Sequence, residues 1–482
     1  MTPRPLTLFN SLTRSLERFV PSDGKTARVY SCGPTVYNFA HLGNLRAYVF
    51  TDTLRRTLLG KGWDVRHVIN ITDVGHLTSD ADAGEDKMEL AAAGLGKDIW
   101  EVAAFYTVAF KRNLADLNII DPTIWSVATD HIAEMIAFAE KIAPDHCYEI
   151  ESGLYFDVGT VPDYGRLARA VSDSHADDGE SRIDPVSGKR NPQDFAIWRR
   201  SPPGETRQME WDSPWGKGAP GWHLECSVMS LKYLGPEPFD IHTGGIDHRE
   251  IHHPNEIAQN QAYCDCTAEQ PGFTGARFWM HNNFLVDRSG KMSKSGGGFT
   301  TLQALIDAGV HPLAYRLLCL SAHYRSELEF SGAAVGAAFT RLKRLVIATA
   351  KVGETSGAPA QTYLDRLDAA LSDDLNTPQA LVALEELVAD KTLSQADRRA
   401  TLERFDAALG LKLLDAQRAA LRLRPVSMTL SEAEIEGRLD ERQQARAAKD
   451  FSRSDAIRDE LIALGVDVMD GDPLRWEWKV NL

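Results

Sequence analysis

The sequence predicts an α/β fold, split by an insertion and followed by a helical region, on three observations. Residues 27–32 and 64–71 read as buried strands on either side of a helix from 43 to about 60 or 62, a βαβ unit whose default crossover is right-handed. Between about 121 and 201 the periodicity changes, and a Ser/Asp/Gly-rich stretch, 172–192, intervenes. From 331 the apolar spacing turns amphipathic-helical and stays so to about 423.

Residues 1–120 supply the first half of the α/β unit: the strand, helix and strand just named, then helical periodicity over 84–113. The block 121–201 carries a helix over 131–142 and one short alternating strand over 148–158, and is expected to interrupt a single sheet. The second half, 202–330, resumes at 221–226 and 239–243. It continues with a helix from 252 to about 263, a segment over 278–286 that leads into the loop at 291–295, and a helix over 302–320. Segments such as 339–352 and 378–388, with a loop at 354–359, make 331–425 a helical bundle. The remainder, 426–482, is a small tail with helices near 431–449 and 452–464 and a strand-like end.

With 482 residues, 43% hydrophobic and 25% charged, the composition is globular and allows about three domains. Apolar runs are too short to span a bilayer, and Arg4, Arg14, Glu17 and Arg18 occupy the place of an apolar leader. A soluble cytoplasmic protein without a membrane partner is expected. Cys32, Cys147, Cys226, Cys264, Cys266 and Cys319 are sparse, which favours reduced thiols or metal ligands over disulfides. The net charge of −15 disfavours broad binding to nucleic acid. Residues 331–425, however, hold 13 Lys and Arg against 12 Asp and Glu, which leaves +1 there and −16 elsewhere. A polyanion has that region to dock on.

Two stretches carry the chemistry. Cys32-Gly33-Pro34-Thr35-Val36-Tyr37-Asn38-Phe39-Ala40-His41-Leu42-Gly43-Asn44 joins the first strand to the first helix. A helix N-terminus after such a turn is an anion-binding mouth, because its first N–H groups have no partners, and His41 sits there. Far downstream, Lys291-Met292-Ser293-Lys294-Ser295 lies between Gly290 and Gly296. A capping histidine or a solvated basic loop would explain either alone. Together and in this order, His-Leu-Gly-Asn and Lys-Met-Ser-Lys-Ser resemble the signatures of class I aminoacyl-tRNA synthetases. The preceding Cys-Gly-Pro-Thr-Val-Tyr resembles the cysteine-specific family, and the likeness runs over nearly the whole chain.

That resemblance implies a Rossmann-like catalytic domain with an inserted connective domain, a helical-bundle anticodon-binding region and a small C-terminal domain. It implies a monomer that activates L-cysteine with ATP and Mg2+ and loads tRNA(Cys), using one zinc ion per chain. An amide-forming ligase that gives cysteine to an amino-sugar is the rival enzyme. Such relatives lack the anticodon region, whereas this chain keeps roughly 150 residues after Phe330. A non-catalytic binder of tRNA or cysteine is the rival from another class.

For the zinc, His252 and Glu256 stand four apart and share a helix face, with His253 expected to point elsewhere. Pro254 requires that helix to start near His252. The His/Glu pair is the only local signal; the family resemblance supplies Cys32 and Cys226 as the other ligands, a chemically reasonable tetrahedral set. Cys264 and Cys266 form a rival thiol pair, read as half-buried cysteines late in a helix.

The resemblance also places Trp222 as an aromatic floor, with Thr72, His242 and Asp247 around the amino acid and Asp247 as partner of its ammonium. Gly33, Thr35, Gly43 and Ser293 fall in its nucleotide-binding stretches. His41, Asn44, Lys291 and Lys294 would serve the phosphates, where in-line transfer is promoted chiefly by preorganised donors. Asn44 departs from the family's usual second histidine, though an amide still donates a hydrogen bond. Arg341, Lys343, Arg344 and Lys351 recur on one helical segment suited to RNA phosphates. Trp476 and Trp478 are either base-stacking platforms or core.

Overall fold

The computed structural model describes residues 4–74, 87–168, 186–202, 204, 207–235, 237–265, 273–286, 301–480 and 482. A hairpin of β1 (Thr7–Asn10) and β2 (Ser15–Arg18) precedes β3 (Thr26–Ser31), α1 (Leu42–Gly60) and β4 (Asp64–Ile71), the expected βαβ unit. The helical stretch that follows divides into α2 (Lys87–Leu95) and α3 (Ile99–Asp116) at Gly96, whose φ of +62° stops the first helix. Asp98 then caps the second, its side chain accepting from the Glu101 N–H.

After β5 (Ile124–Val127) come α4 (Ile132–His146) and four antiparallel strands, β6 (Cys147–Ile150), β7 (Gly153–Phe156), β8 (Phe195–Arg200) and β9 (Gly218–Pro220). Residues 148–158 are therefore a hairpin rather than one strand. Glu151 and Ser152 make the turn, and Gly153 opens β7 at φ +137°, where a Cβ would lie 2.0 Å from the Trp198 carbonyl oxygen. The chain continues through α5 (Trp222–Leu234), β10 (Phe239–Gly245), α6 (His252–Tyr263), β11 (Ala276–Asn282) and β12 (Leu285–Val286). Segment 302–320 is two helices, α7 (Leu302–Asp307) and α8 (Pro312–Leu320), separated by Gly309 at φ +90°. Then follow β13 (Leu328–Glu329), α9 (Gly332–Thr349), α10 (Gln361–Ser372), α11 (Thr377–Ala389) and α12 (Gln395–Leu409). The tail contains α13 (Glu432–Ala447), α14 (Phe451–Ala463), β14 (Val466–Val468) and β15 (Trp476–Trp478). No described helix is long and apolar enough to cross a membrane.

The main sheet is parallel, in the order β11-β10-β3-β4-β5, and its strands come from both sides of the antiparallel sheet in sequence. The chain leaves β3 toward β4 and β5, then returns to β10 on the other side. Open parallel sheets bind ligands beyond the carboxyl ends of strands at such a reversal, because the connections there diverge and leave a crevice.

One core joins the sheet side to the helical region: Leu45 of α1, Leu317 of α8, Val335 of α9, Leu384 of α11 and Phe405 of α12 are all fully buried in one cluster. The tail has a cluster of its own, with Ile435, Ile457, Trp476 and Trp478 in its centre. Both tryptophans are core rather than base platforms. Trp476 donates its indole N–H to Glu436 and lies 3.6 Å under the Arg422 guanidinium.

Candidate active site and metal centre

His41 is the N-cap of α1. Its Nδ1 accepts the Asn44 N–H at 3.2 Å, while the Asn44 side-chain oxygen accepts the His41 N–H at 3.3 Å, a reciprocal capping box. The bond has a chemical consequence: an Nδ1 that accepts leaves the proton on Nε2, so the exposed ring presents a donor. Gly43 makes this possible, since a Cβ there would come within 3.0 Å of the imidazole. Asn44 thus shapes the mouth by holding the His41 backbone. Gly33 packs so tightly on β4 that a Cβ would sit 1.5 Å from the Asn70 oxygen, and its N–H is held by the Asn70 side chain at 2.7 Å. Thr35 bridges to Thr72, just beyond β4, and Thr72 donates to Glu225 at 2.9 Å.

Cys32 follows β3, Cys226 lies one turn into α5, and His252 and Glu256 lie on the first turns of α6. Their ligand atoms all fall within 4.8 Å of one another, and all four residues are buried. Two sulfurs, one imidazole nitrogen and one carboxylate oxygen match zinc's preference for four mixed soft and borderline donors. The sequence-expected quartet therefore converges. Helix α6 does begin at His252, which leaves Pro254 in the first turn, where its missing N–H costs nothing.

The expectation that His253 points elsewhere is overturned. Its Nε2 is 3.3 Å from the Cys32 sulfur, and with Cys32, His242 and Glu256 it forms a second, overlapping ligand group. A step of one residue turns a side chain about 100° on a helix, but Cys32 arrives from β3 on that other flank and brings the site to both faces. Behind His253 the chain of His281 and Ser11 continues at 2.8 Å per link. Sequence reasoning also missed His223, whose Nδ1 is 2.9 Å from that of His252, His248 beside it, and Glu225. The His252-His253 doublet was the signal available.

Charge is unevenly distributed here. A hydrogen bond from the Cys32 thiol pulls Cys226 down to about 6 against the effect of burial, while burial and then Cys226 push Cys32 well above the usual thiol range. Burial opposes the charged forms of His252 and Glu256, yet Glu256 and Cys226 hold His252 at about 10, and His242 and His252 hold Glu256 at about 2. Burial leaves His253 and His281 well below the imidazole range and His248 at about 4. Cys226 and Glu256 are thus the anionic donors, with the neutral rings of His253, His281 and His248 around them.

Trp222 opens α5 half-buried, with its ring 4.3 Å from that of His252. His242, in the middle of β10, is 2.9 Å from Glu256 and stacks 4.5 Å from Trp279. Asp247 lies in the short turn between β10 and α6 with its carboxylate 56% exposed, accessible to a cation. Lys291, Ser293 and Lys294 lie outside the described residues, as does Cys266.

Residues 18–340 match the family of class I (C) tRNA synthetase catalytic domains, and residues 432–478 match the cysteinyl-tRNA ligase anticodon-binding domain. The cysteine–tRNA ligase of Novosphingobium aromaticivorans is 62% identical over 99% of this chain and 97% of its own. That of Zymomonas mobilis is 57% identical over 98% of each. The chain belongs to the cysteine–tRNA ligase family. Among solved structures, Agrobacterium radiobacter LeuRS bound to tRNA and LeuAMS superposes with a TM-score of 0.56 at 12% identity, covering 94% of this chain and 95% of that one. Mycobacterium tuberculosis methionyl-tRNA synthetase with methionyl-adenylate gives 0.52 at 16% identity, covering 82% and 93%. Both establish the class I synthetase fold, and the chain is an aminoacyl-tRNA ligase of that class.

As a member of the cysteine–tRNA ligase family the chain needs surface cations for RNA, and two of the expected ones are committed elsewhere. Arg341 on α9 pairs with Glu385 at 2.7 Å, and Lys343 pairs with Glu477, tying the bundle to the tail. Arg344 and Lys351 are exposed. In the tail the exposed ring is Phe451, 61% accessible at the start of α14, two residues from the half-exposed Arg453.

Proposed function

We propose that this chain activates L-cysteine with ATP and Mg2+ to cysteinyl-adenylate and transfers it to tRNA(Cys). In this reading Cys32, Cys226, His252 and Glu256 hold one zinc ion that selects the substrate thiol. The carrying observation is that buried quartet, set beyond the carboxyl ends of β3 and β10 where the sheet order reverses. A bound zinc ion lowers a thiol pKa and takes it as thiolate, whereas a serine hydroxyl is far harder to ionise. Trp222 closes the floor, Asp247 takes the ammonium, and Thr72 and His242 shape the walls. His41 offers its Nε2–H, and Gly33, Thr35 and Gly43 keep the mouth open to the nucleotide. Residues 1–120 and 202–330 form the catalytic unit, 121–201 the connective insertion, 331–425 the tRNA-binding bundle and 426–482 the anticodon reader, in a monomer. Aminoacylation of unfractionated tRNA, with the RNA-linked amino acid identified, tests the reading. An amino acid other than cysteine, or none, defeats it.

Two further outcomes follow from the assigned roles. Lys294→Ala should slow cysteine-dependent pyrophosphate exchange by about 3–4 kcal/mol of barrier while leaving cysteine affinity nearly unchanged, because the charge is needed as the phosphate reacts. Normal exchange would remove Lys294 from catalysis. Phe451→Ala should raise KM for tRNA by about 1–3 kcal/mol equivalent, the worth of one base stacked on an aromatic ring, with exchange unaffected. Equal losses in both assays would show damage to the tail instead.

A further inference from the structure

Tyr30 is completely buried, and its hydroxyl has no hydrogen-bond partner among the described residues. Such an orphan is costly, since a buried O–H stripped of water forfeits a bond it would otherwise keep. Its placement explains it. Tyr30 lies two residues before Cys32 along the line of β3, and side chains two apart on a strand share a face. Tyr30 therefore faces the side from which Cys32 enters the metal centre. Across the sheet it is in register with His242, whose ring is 5.1 Å away edge-on, and His242 in turn touches Glu256. Tyr30, Cys32 and Cys226 lie together in one buried cluster.

We propose that Tyr30 is a positioning residue for the metal centre, its hydroxyl donating to the Cys226 sulfur when that sulfur ligates zinc. The inference rests on the zinc reading above. A metal-bound thiolate keeps lone pairs that accept hydrogen bonds, and a donor there fixes the sulfur's direction. It also draws negative charge off the sulfur, which leaves the metal readier for one more sulfur ligand, the substrate's. In the loaded site the orphan and the thiolate satisfy one another. This gives the hydroxyl a sign that a packing role would not have.

Tyr30→Phe, which removes one oxygen and keeps the ring, reads that sign. Zinc affinity is measured by chelator competition on both proteins, and thermal stability on both after zinc removal. Cobalt(II)-substituted samples add the sulfur-to-metal charge-transfer band. The expected result is a 10–100-fold weaker zinc affinity, a shifted cobalt band, a higher KM for cysteine with that for ATP unchanged, and metal-free stability equal or improved. Unchanged zinc affinity with an unmoved band overturns the proposal. So does an equal loss of stability in the metal-free protein, which would make the hydroxyl merely structural. If the unsubstituted protein itself binds no zinc, the metal reading fails, and this inference with it.

Discussion

Asp52→Asn is expected to destabilise the chain by about 3–5 kcal/mol, because it leaves a buried guanidinium without its counter-charge. Asp52 on α1 and Arg316 on α8 form an ion pair in which both side chains are wholly inaccessible. Arg56 joins from the next turn of α1 at 2.7 Å, and the Ile120 N–H donates to the other carboxylate oxygen at 2.9 Å. The two arginines then reach backbone carbonyls that have no helical partner. Arg316 donates to Leu409 and Leu117, and Arg56 to Ala407 and Asn118. The C-terminal end of α12 is thereby fastened to the helix that begins at His41. Burial opposes the Asp52 charge, but Arg316 and Arg56 hold its pKa below the usual carboxylate value. Its contribution is therefore complete above the unfolded value near 3.9 and is lost as pH falls through the lower folded value. Urea denaturation at neutral pH measures the effect. Asp52→Leu combined with Arg316→Met should recover only part of the loss, because the α12 carbonyls would remain unpaired. A cost for Asp52→Asn below about 1 kcal/mol, the range of exposed pairs, would show that the pair does not bear on stability.

Such a contact shows why part of the molecule could be read from the sequence and part could not. The helix α1, β4 and α6 were legible because local rules set them: Gly62 and Pro254 fix ends, and the His252/Glu256 spacing puts both on one face. The hairpin over 148–158 was hidden because one glycine, at φ +137° where β7 opens, decides between one strand and two. Arg341 and Lys343 looked like RNA contacts because their partners, Glu385 and Glu477, stand 44 and 134 residues away. Trp476 and Trp478 share one face of β15, a spacing that a core and a stacking platform have in common. Only the packing of α13 and α14 over them decides it. The same holds at the metal centre, where His253 and Tyr30 gain their significance from a strand more than two hundred residues from α6.

On the proposed zinc assignment, Cys226→Ser is expected to remove most of the bound zinc and, with it, the preference for cysteine over serine. The two substrates differ by one atom, and a shape difference of that size discriminates weakly, whereas a metal–sulfur bond has no equivalent with a neutral hydroxyl. A selectivity of roughly four decades corresponds to about 5.5 kcal/mol, which is the order of loss expected in the ratio of kcat/KM for pyrophosphate exchange. The geometry makes Cys226 the informative position. Within the quartet its thiol is the one pulled down to about 6, so it is the sulfur best prepared to ligate. It is also buried on α5 among packed neighbours, where serine fits without a cavity of consequence. The exposed Cys264→Ser serves as the control and should keep one zinc per chain and full selectivity. Metal analysis and exchange with each amino acid, run on the same samples, separate loss of metal from loss of fold. Full zinc occupancy with unaltered selectivity in Cys226→Ser would remove this residue from the metal centre, and with it the thiolate basis of the proposed specificity.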